Sequence, residues 1–369
     1  QASRLVPLIP CRTMPLLATL LTCLKITSAT SAACGLALWL TIKRRRPWVT
    51  GADYILSWLD LTQEKIDITN EKIDEGFEEM LIKYRNAHGN MDVLDKMLLP
   101  LKADSAETEV VVTDRRTRVK VFKPITTPDQ AAPPLVLYFK EGGFVIGHLE
   151  VSTHRAKYLA HCLGAVVASF DYPLAPEHTF PENFNSAFDA AEYVLRNPDS
   201  IGVKFDPDRV ITYGFSAGGN LATTVAVGLA QKGFTLRGHF AQQPSLKVQD
   251  TSSRQEFFDN GFGWDGKTDA WAWNQLLKGV DESTYDFRVS ALYATHAEIA
   301  KTSPGYVTVA KYDCVKDGGQ AYADRLRQAG KLLGFKEYPI SHITLKPVWK
   351  EQVDEIIAMA AQVLHSKTV

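Results

Sequence analysis

The sequence predicts an α/β fold in which helices cover both faces of a mostly parallel sheet, and three observations lead to it. Downstream of Pro100, short β-branched and aromatic runs alternate with stretches of helical periodicity. The first two runs are separated only by the charged turn Asp114, Arg115, Arg116, which makes a hairpin ahead of the alternating units. The chain has 369 residues, 45% of them hydrophobic and 22% charged. Such a chain can bury a large core and is too apolar for general disorder.

In chain order, Asp53 to about Leu99 reads as helical, because Ile55, Leu59, Ile66, Ile73, Phe77, Met80, Leu81 and Tyr84 recur at spacings of three, four and seven between charged residues. Glu109 to Thr113 and Val119 to Phe122 form the hairpin. Further strands are predicted at Leu135 to Phe139, Val166 to Phe170, Val210 to Tyr213, Gly238 to Ala241, Tyr306 to Ala310 and Phe335 to Tyr338. Helical stretches between them include Phe184 to Leu195, Ala217 to Ala230, Gln320 to Leu333 and Lys350 to Leu364. Ser245 to Leu292 is long, aromatic and without a clear strand, which fits part of a lid. No internal repeat or low-complexity segment interrupts the pattern.

Residues 1–50 differ from the rest. Leu16 to Leu24 is uncharged, Lys25 interrupts, and Ile26 to Ile42 is again free of charge before the basic run Lys43, Arg44, Arg45, Arg46. The second stretch meets the lower length limit for crossing a hydrocarbon core. Its basic cluster follows the apolar stretch, the reverse of a cleavable signal peptide. The segment 16–46 is expected to contact a membrane, either as a single span or as an amphipathic leader lying on the surface. If it spans, the positive-inside rule places the body in the cytoplasm.

Lys plus Arg is 41 and Asp plus Glu is 42, a formal net charge of −1. A chain so balanced has no field to hold a polyanion, which excludes nucleic acid as an expected partner. The five cysteines, Cys11, Cys23, Cys34, Cys162 and Cys314, include no CxxC pair and suggest neither a zinc site nor a disulfide framework.

Chemistry enters at Val210-Ile-Thr-Tyr-Gly214-Phe215-Ser216-Ala217-Gly218-Gly219-Asn220, a G-x-S-x-G motif set between a strand and a helix. A serine on so tight a turn sits in a strained backbone conformation that the flanking glycines permit. The helix that starts there aims N–H groups and its dipole at a developing oxyanion. Asp313 follows the strand Tyr306 to Ala310, and His342 follows the strand-like Phe335 to Ile340. The C-terminal ends of parallel strands converge on one sheet edge, so Ser216, Asp313 and His342 fill the three roles of a triad in the order Ser, Asp, His. Gly261-Phe-Gly263-Trp264-Asp-Gly266 formally matches G-x-G-x-x-G but follows no strand, so a dinucleotide site is not expected. His148, His154 and His161 lack metal-ligand spacing. Asp171, Tyr172 and Glu177 read as structural, holding the loop after a strand.

These motifs together resemble the hormone-sensitive-lipase-like family of α/β-hydrolases, which includes bacterial and fungal esterases and arylacetamide deacetylases. Tyr138-Phe-Lys-Glu-Gly-Gly-Phe-Val-Ile-Gly147 resembles its oxyanion loop. Asp171-Tyr-Pro-Leu-Ala-Pro-Glu-His178 with Phe180-Pro181 resembles its next signature, and Ala310-Lys-Tyr-Asp313-Cys-Val-Lys-Asp317-Gly resembles the segment bearing its acid. The resemblance covers Leu101 to the C-terminus. It implies an eight-stranded sheet, no metal, no organic cofactor, and a cap built from the N-terminal helices and the insert. The domain reading is a leader or anchor at 1–50, a helical cap segment at 51–100 and a catalytic domain at 101–369 with a cap insert at 245–292.

The chain departs from the family beside the chemistry. Lys140-Glu141-Gly142-Gly143 stands where the family has His-Gly-Gly-Gly, and Phe215 replaces an acidic or small residue before the serine. The resemblance casts the N–H groups of Gly142, Gly143 and Ala217 as oxyanion donors. Lys140 and Glu141 are expected at the pocket mouth, contacting substrate and narrowing its range, with Phe215 and Trp271 as further substrate-binding residues. Trp271 and Trp273, with Phe257, Phe258 and Phe262, either line an acyl pocket or form the core of the cap. The expected reaction is hydrolysis of an apolar, small-acyl carboxylic ester through an acyl-enzyme. The alternatives are a biosynthetic acyl-transfer, elimination or cyclisation enzyme, or a non-hydrolytic small-molecule-binding protein. The sequence leaves the oligomeric state open.

Overall fold

In the computed structural model the described residues are 40–44, 46, 49, 91–101, 105–124, 132–248, 251–344 and 346–366. The chain divides into two compact units, Gln1–Leu59 and Asp60–Val369. Of the first unit, residues 40–44 are helical. Most of the expected membrane segment 16–46, and of the helical pattern between Asp53 and Leu99, lies outside the described residues. Among the described residues no helix is long and apolar enough to cross a membrane.

The second unit runs α1 (Met91–Leu98), β1 (Glu107–Val112), β2 (Thr117–Phe122), β3 (Leu135–Phe139), α2 (Thr153–Leu163), β4 (Val166–Phe170), α3 (Glu182–Arg196), β5 (Val210–Phe215), α4 (Ala217–Gln231) and β6 (Gly238–Gln242). It continues with α5 (Ser252–Glu256), α6 (Gly266–Leu276), α7 (His296–Lys301), β7 (Gly305–Tyr312), α8 (Lys316–Gln328), β8 (Leu332–Ser341) and α9 (Val348–His365). The strands form one eight-stranded sheet in the order β1-β2-β4-β3-β5-β6-β7-β8. The β1–β2 and β2–β4 pairs are antiparallel and the rest are parallel.

Why these segments become strands is visible in their burial. Every residue of β3, β4, β5 and β6 is buried, as required of central strands covered on both faces. Helix α9 turns Val353, Ile356, Ile357, Ala360 and Leu364 to the sheet at spacings of three and four, where they share a core with Ala156, Leu159, Ala160 and Leu163 of α2. Val227 of α4 and Tyr322, Ala323 and Leu326 of α8 pack with Val307 and Val309 of β7 in a separate core. The insert expected to lack strands has none among its described residues and carries α5 and α6.

Two expectations change. The helix predicted at Gln320 to Leu333 ends at Gln328, because Gly330 takes φ 66° and Leu332 pairs with Gly305 of β7. Helix α2 escapes the periodicity reading because charged and polar residues share its length, and one of them, Arg155, faces the interior.

On β6 the buried His239 ring shares hydrogen bonds with Ser303 Oγ at 3.1 Å and Tyr322 Oη at 2.9 Å. Burial lowers its pKa from 6.5 to about 3. The unfolded chain takes up this proton near pH 6.5 while the folded chain resists it until about pH 3, so stability falls as pH drops through that window. Unfolding in urea between pH 7 and pH 4 should show a loss on the order of a few kcal/mol, and His239→Gln should flatten that acid slope. An unchanged slope in the variant would assign the acid sensitivity to other groups.

Candidate active site

The site is assembled where β5, β7 and β8 end. Strand β5 closes on Phe215, and Ser216 follows with φ 57° and ψ −121°, in the left-handed half of backbone space, before α4 begins at Ala217. Its amide donates to Gln242 O at 2.9 Å, and its carbonyl accepts from Asn220 N at 3.1 Å and Ser245 N at 3.0 Å. Strain at this turn is therefore held from both sides. On the neighbouring strands Tyr312 pairs with Ser341 after a register shift, so the residues that follow, Asp313 and His342, leave the sheet side by side.

The predicted partners meet. His342 Nδ1 lies 2.7 Å from Asp313 Oδ2, and His342 Nε2 lies 2.9 Å from Ser216 Oγ. A carboxylate can only accept, so the Nδ1 proton belongs to the Asp313 bond and the Nε2 lone pair faces the serine hydroxyl. That tautomer is the one a general base needs. All three side chains are buried, and Asp313 is further fixed by Val315 N, which donates to its Oδ1 at 3.1 Å. Gln243, itself at φ 43°, donates from Nε2 to the carbonyls of Ser341 and His342, both at 3.3 Å. Cys314, next to Asp313, is buried, and burial raises its thiol pKa, so it is no thiolate rival to Ser216.

Phe215 lies behind the histidine. Its ring stacks on the His342 imidazole at 5.1 Å and 28° and meets the Trp349 ring edge-on at 5.2 Å. Behind both sits the Arg155 guanidinium, 5.3 Å from the Phe215 ring and 4.9 Å from the Trp349 ring. Asp95 of α1 clamps Arg155 through two bonds, 3.0 Å to Nε and 2.6 Å to Nη2, and also accepts from Trp349 Nε1 at 3.3 Å. The pair is fully buried. Arg155 Nη1 reaches Gln242 Oε1 at 3.1 Å, which Tyr213 Oη also donates to at 2.5 Å.

The loop after β3 overturns the expectation for Lys140 and Glu141. Neither lies at a pocket mouth, for Lys140 is 0% exposed and Glu141 4%. The Lys140 ammonium stands over the Tyr172 ring at 3.9 Å, and Tyr172 Oη donates to the Lys140 carbonyl at 2.8 Å. Glu141 Oε2 accepts from Ser152 Oγ at 2.8 Å and Tyr138 Oη at 3.3 Å. Burial pushes the Glu141 carboxyl above the usual range, against the lowering effect of the Arg155 charge. Both substitutions point inward because the ring of Tyr172 and the hydroxyls of Tyr138 and Ser152 receive them there. Phe215, expected to bind substrate, is 2% exposed and its ring is stacked on His342. Trp271 is buried in α6, and Trp273 is a core residue of the insert, packed on Phe144 at 5.0 Å. Among the other aromatics of the insert, Phe257 and Phe262 are buried and Phe258 is exposed.

Sequence reasoning missed Trp264. A methyl group built on Gly143 would stand 2.2 Å from its indole edge, so Gly143 lies directly against that ring. The same indole is 6.3 Å from the His342 ring and donates through Nε1 to buried Asp269 at 3.1 Å. Gly263, at φ 74°, is pressed on Ile343. The glycines of the set-aside G-x-G-x-x-G pattern thus include one that allows close backbone approach beside the triad.

With this geometry in view, the sequence matches the profile described as alpha/beta hydrolase fold over residues 136–342. The chain belongs to that family, in its hormone-sensitive-lipase-like branch. Esterase LipI of Mycobacterium tuberculosis is 31% identical over 232 residues, covering 57% of this chain and 65% of that protein. The chain thus spans just under two thirds of LipI. An ethyl acetate hydrolase of Pseudomonas putida is 28% identical over 252 residues, 67% of this chain and 77% of that one. Among solved structures, a hyperthermophilic esterase from Pyrobaculum calidifontis superposes with a TM-score of 0.68 at 27% identity, covering 84% of this chain and 95% of that chain. The carboxylesterase EstE1 from a metagenomic library gives 0.67 at 26% identity, over 78% and 98%. The family member described here is a carboxylesterase-type hydrolase. Replacing Asp313 with Asn should keep the fold but stabilise the wrong imidazole tautomer, lowering kcat by about 10⁴-fold. Stopped assays beside a melting curve check this, and near-normal turnover would remove Asp313 from the mechanism.

Proposed function

We propose that the protein hydrolyses an apolar carboxylic ester with a small acyl group through an acyl-enzyme on Ser216. The observation that carries this reading is the hydrogen-bonded chain Ser216–His342–Asp313, at 2.9 and 2.7 Å, with the serine raised on a positive-φ turn. Ser216 Oγ attacks the ester carbonyl as His342 Nε2 takes its proton. Asp313 orients the imidazole and stabilises the cation that forms. The amides of Gly142, Gly143 and Ala217 receive the oxyanion. Ala217 opens α4, where a helix has N–H groups without intrahelical acceptors. His342 then returns the proton to the departing alcohol, and water repeats the sequence to release the acid.

The small acyl group is supported by Trp264, whose ring fills the space against Gly143, and by the relative named ethyl acetate hydrolase. On p-nitrophenyl esters from two to twelve carbons, kcat/KM should fall by at least about tenfold from the shortest to the longest. Trp264→Ala should shift the optimum to longer chains. Ser216→Ala should lose about 10³-fold or more, with an unchanged melting curve. Full activity in Ser216→Ala, or a flat chain-length profile in wild type, overturns the mechanism or the acyl preference respectively.

We infer further that residues 16–46 bring the protein to a membrane with its body on the cytoplasmic side. The support is the uncharged stretch Ile26 to Ile42 followed by Lys43 to Arg46. Fractionation should find the full chain with membranes and a chain lacking the residues before Pro47 in the supernatant. A full chain soluble without detergent defeats this reading.

A further inference from the structure

Beside the serine, three consecutive residues of the loop after β3 have positive φ: Gly142 at 123°, Gly143 at 57° and Phe144 at 67°. Glycine has little intrinsic preference for one conformation and a bulky residue such as Phe144 disfavours positive φ, so the geometry of this run has to be imposed by neighbours. Within the loop, the amides of Val145 and Ile146 donate to Gly142 O at 3.1 and 2.9 Å. The residue immediately before the run is Glu141. Its carboxyl group is buried and accepts from Ser152 Oγ and Tyr138 Oη through the same oxygen, Oε2.

Ser152 adds an independent observation. It occupies the N-cap position of α2, where a serine side chain ordinarily accepts from a helix amide, yet it makes no capping bond. Its hydroxyl instead gives its hydrogen to Glu141. Tyr138, the other donor, is at the end of β3 and stacks on Tyr213 of β5 at 5.6 Å, two residues of strand away from the elbow. Glu141 therefore ties the loop to the start of α2 and, through Tyr138, to the strand that carries Ser216.

We propose that Glu141 is a positioning residue for the oxyanion loop, its buried carboxyl group fixing the backbone that presents the Gly142 and Gly143 amides to the reacting carbonyl. The proposal rests on the ester-hydrolase reading above. Glu141 touches neither substrate nor the triad and acts through the loop alone. What matters is a buried acceptor of this length, not a charge, so glutamine should substitute for it.

The test compares wild type with Glu141→Ala, Glu141→Gln and Ser152→Ala, each measured for kcat and KM on p-nitrophenyl acetate, for affinity toward phenylboronic acid, and for melting temperature. The boronic acid forms a tetrahedral adduct on the serine and so reads the oxyanion site directly. Glu141→Ala should lower kcat tenfold to a hundredfold with KM within about twofold, and weaken the boronic acid in parallel. Glu141→Gln should restore both to within about threefold, and Ser152→Ala should fall between. If Glu141→Ala does not fold, Ser152→Ala against Glu141→Gln carries the comparison. Loss of melting temperature alone, with kcat and boronate affinity unchanged, overturns the proposal, as does a glutamine variant as impaired as alanine. Failure of the underlying reading shows differently: wild type itself would neither turn over the ester nor bind the boronic acid, and the proposal would fall with it.

Discussion

Where β5 turns into α4, the backbone passes so close to its neighbours that side chains are excluded. A methyl group on Gly218 would stand 2.0 Å from the Phe139 carbonyl oxygen, and one on Gly214 would stand 2.1 Å from the Gly218 carbonyl oxygen. Real carbon–oxygen contacts never approach this closely, so these two positions admit only glycine unless the backbone moves. The contact lets the first turn of α4 lie on the end of β3. It thereby sets the distance between Ser216 and the loop that leaves β3 at Lys140. Ser216, the first amides of α4 and the point where the loop leaves β3 are brought together by one steric constraint.

The histidine is placed by different means. Phe215 supports the flat face of the imidazole, Trp349 supports Phe215, and the Arg155–Asp95 pair fills the space behind them. Burying two charges costs several kcal/mol per ion before their attraction is counted, so this pair is weak evidence of stability as such. It does fix orientation. A planar guanidinium whose Nε and Nη2 are held by the Asp95 carboxylate and whose Nη1 is held by Gln242 cannot rotate, and it presents a flat surface to the aromatic rings. Asp95 comes from α1, upstream of the segment that matches the family profile. The N-terminal part of the unit therefore takes part in the packing behind His342, and is more than a cover.

How much of this could be read from sequence depended on whether a residue's role followed from its local pattern. Ser216 announced itself because a strand, two glycines and a helix surround it, and Asp313 and His342 because both follow predicted strands. The central strands were legible as continuous apolar runs, and β1 and β2 as β-branched runs on either side of the charged turn Asp114, Arg115, Arg116. Arg155, Glu141 and Lys140 were not legible. A charged residue in sequence reads as solvent-facing, and its burial depends on partners such as Asp95, 60 residues away from Arg155. Trp264 was hidden by a glycine pattern that suggested, and then failed to support, a phosphate site. The same glycine freedom serves Ile343 instead.

The replacement of His-Gly by Lys140-Glu141 becomes intelligible once both side chains are seen to be internal. A loop with three positive-φ residues needs fixed points on either side, and the structure supplies four of different kinds. Tyr172 holds the Lys140 carbonyl, Ser152 and Tyr138 hold the Glu141 carboxyl, the turn holds the Gly142 carbonyl, and the indole of Trp264 covers Gly143. Donors aimed at an oxyanion act only as well as they are held before the reaction begins, because reorienting dipoles during the step would raise the barrier. Changing the residues that hold the loop is tolerable so long as the held backbone is the same. In the proposed mechanism the Gly142 and Gly143 amides do the chemistry, and the side chains before them serve to pin the backbone that carries those amides.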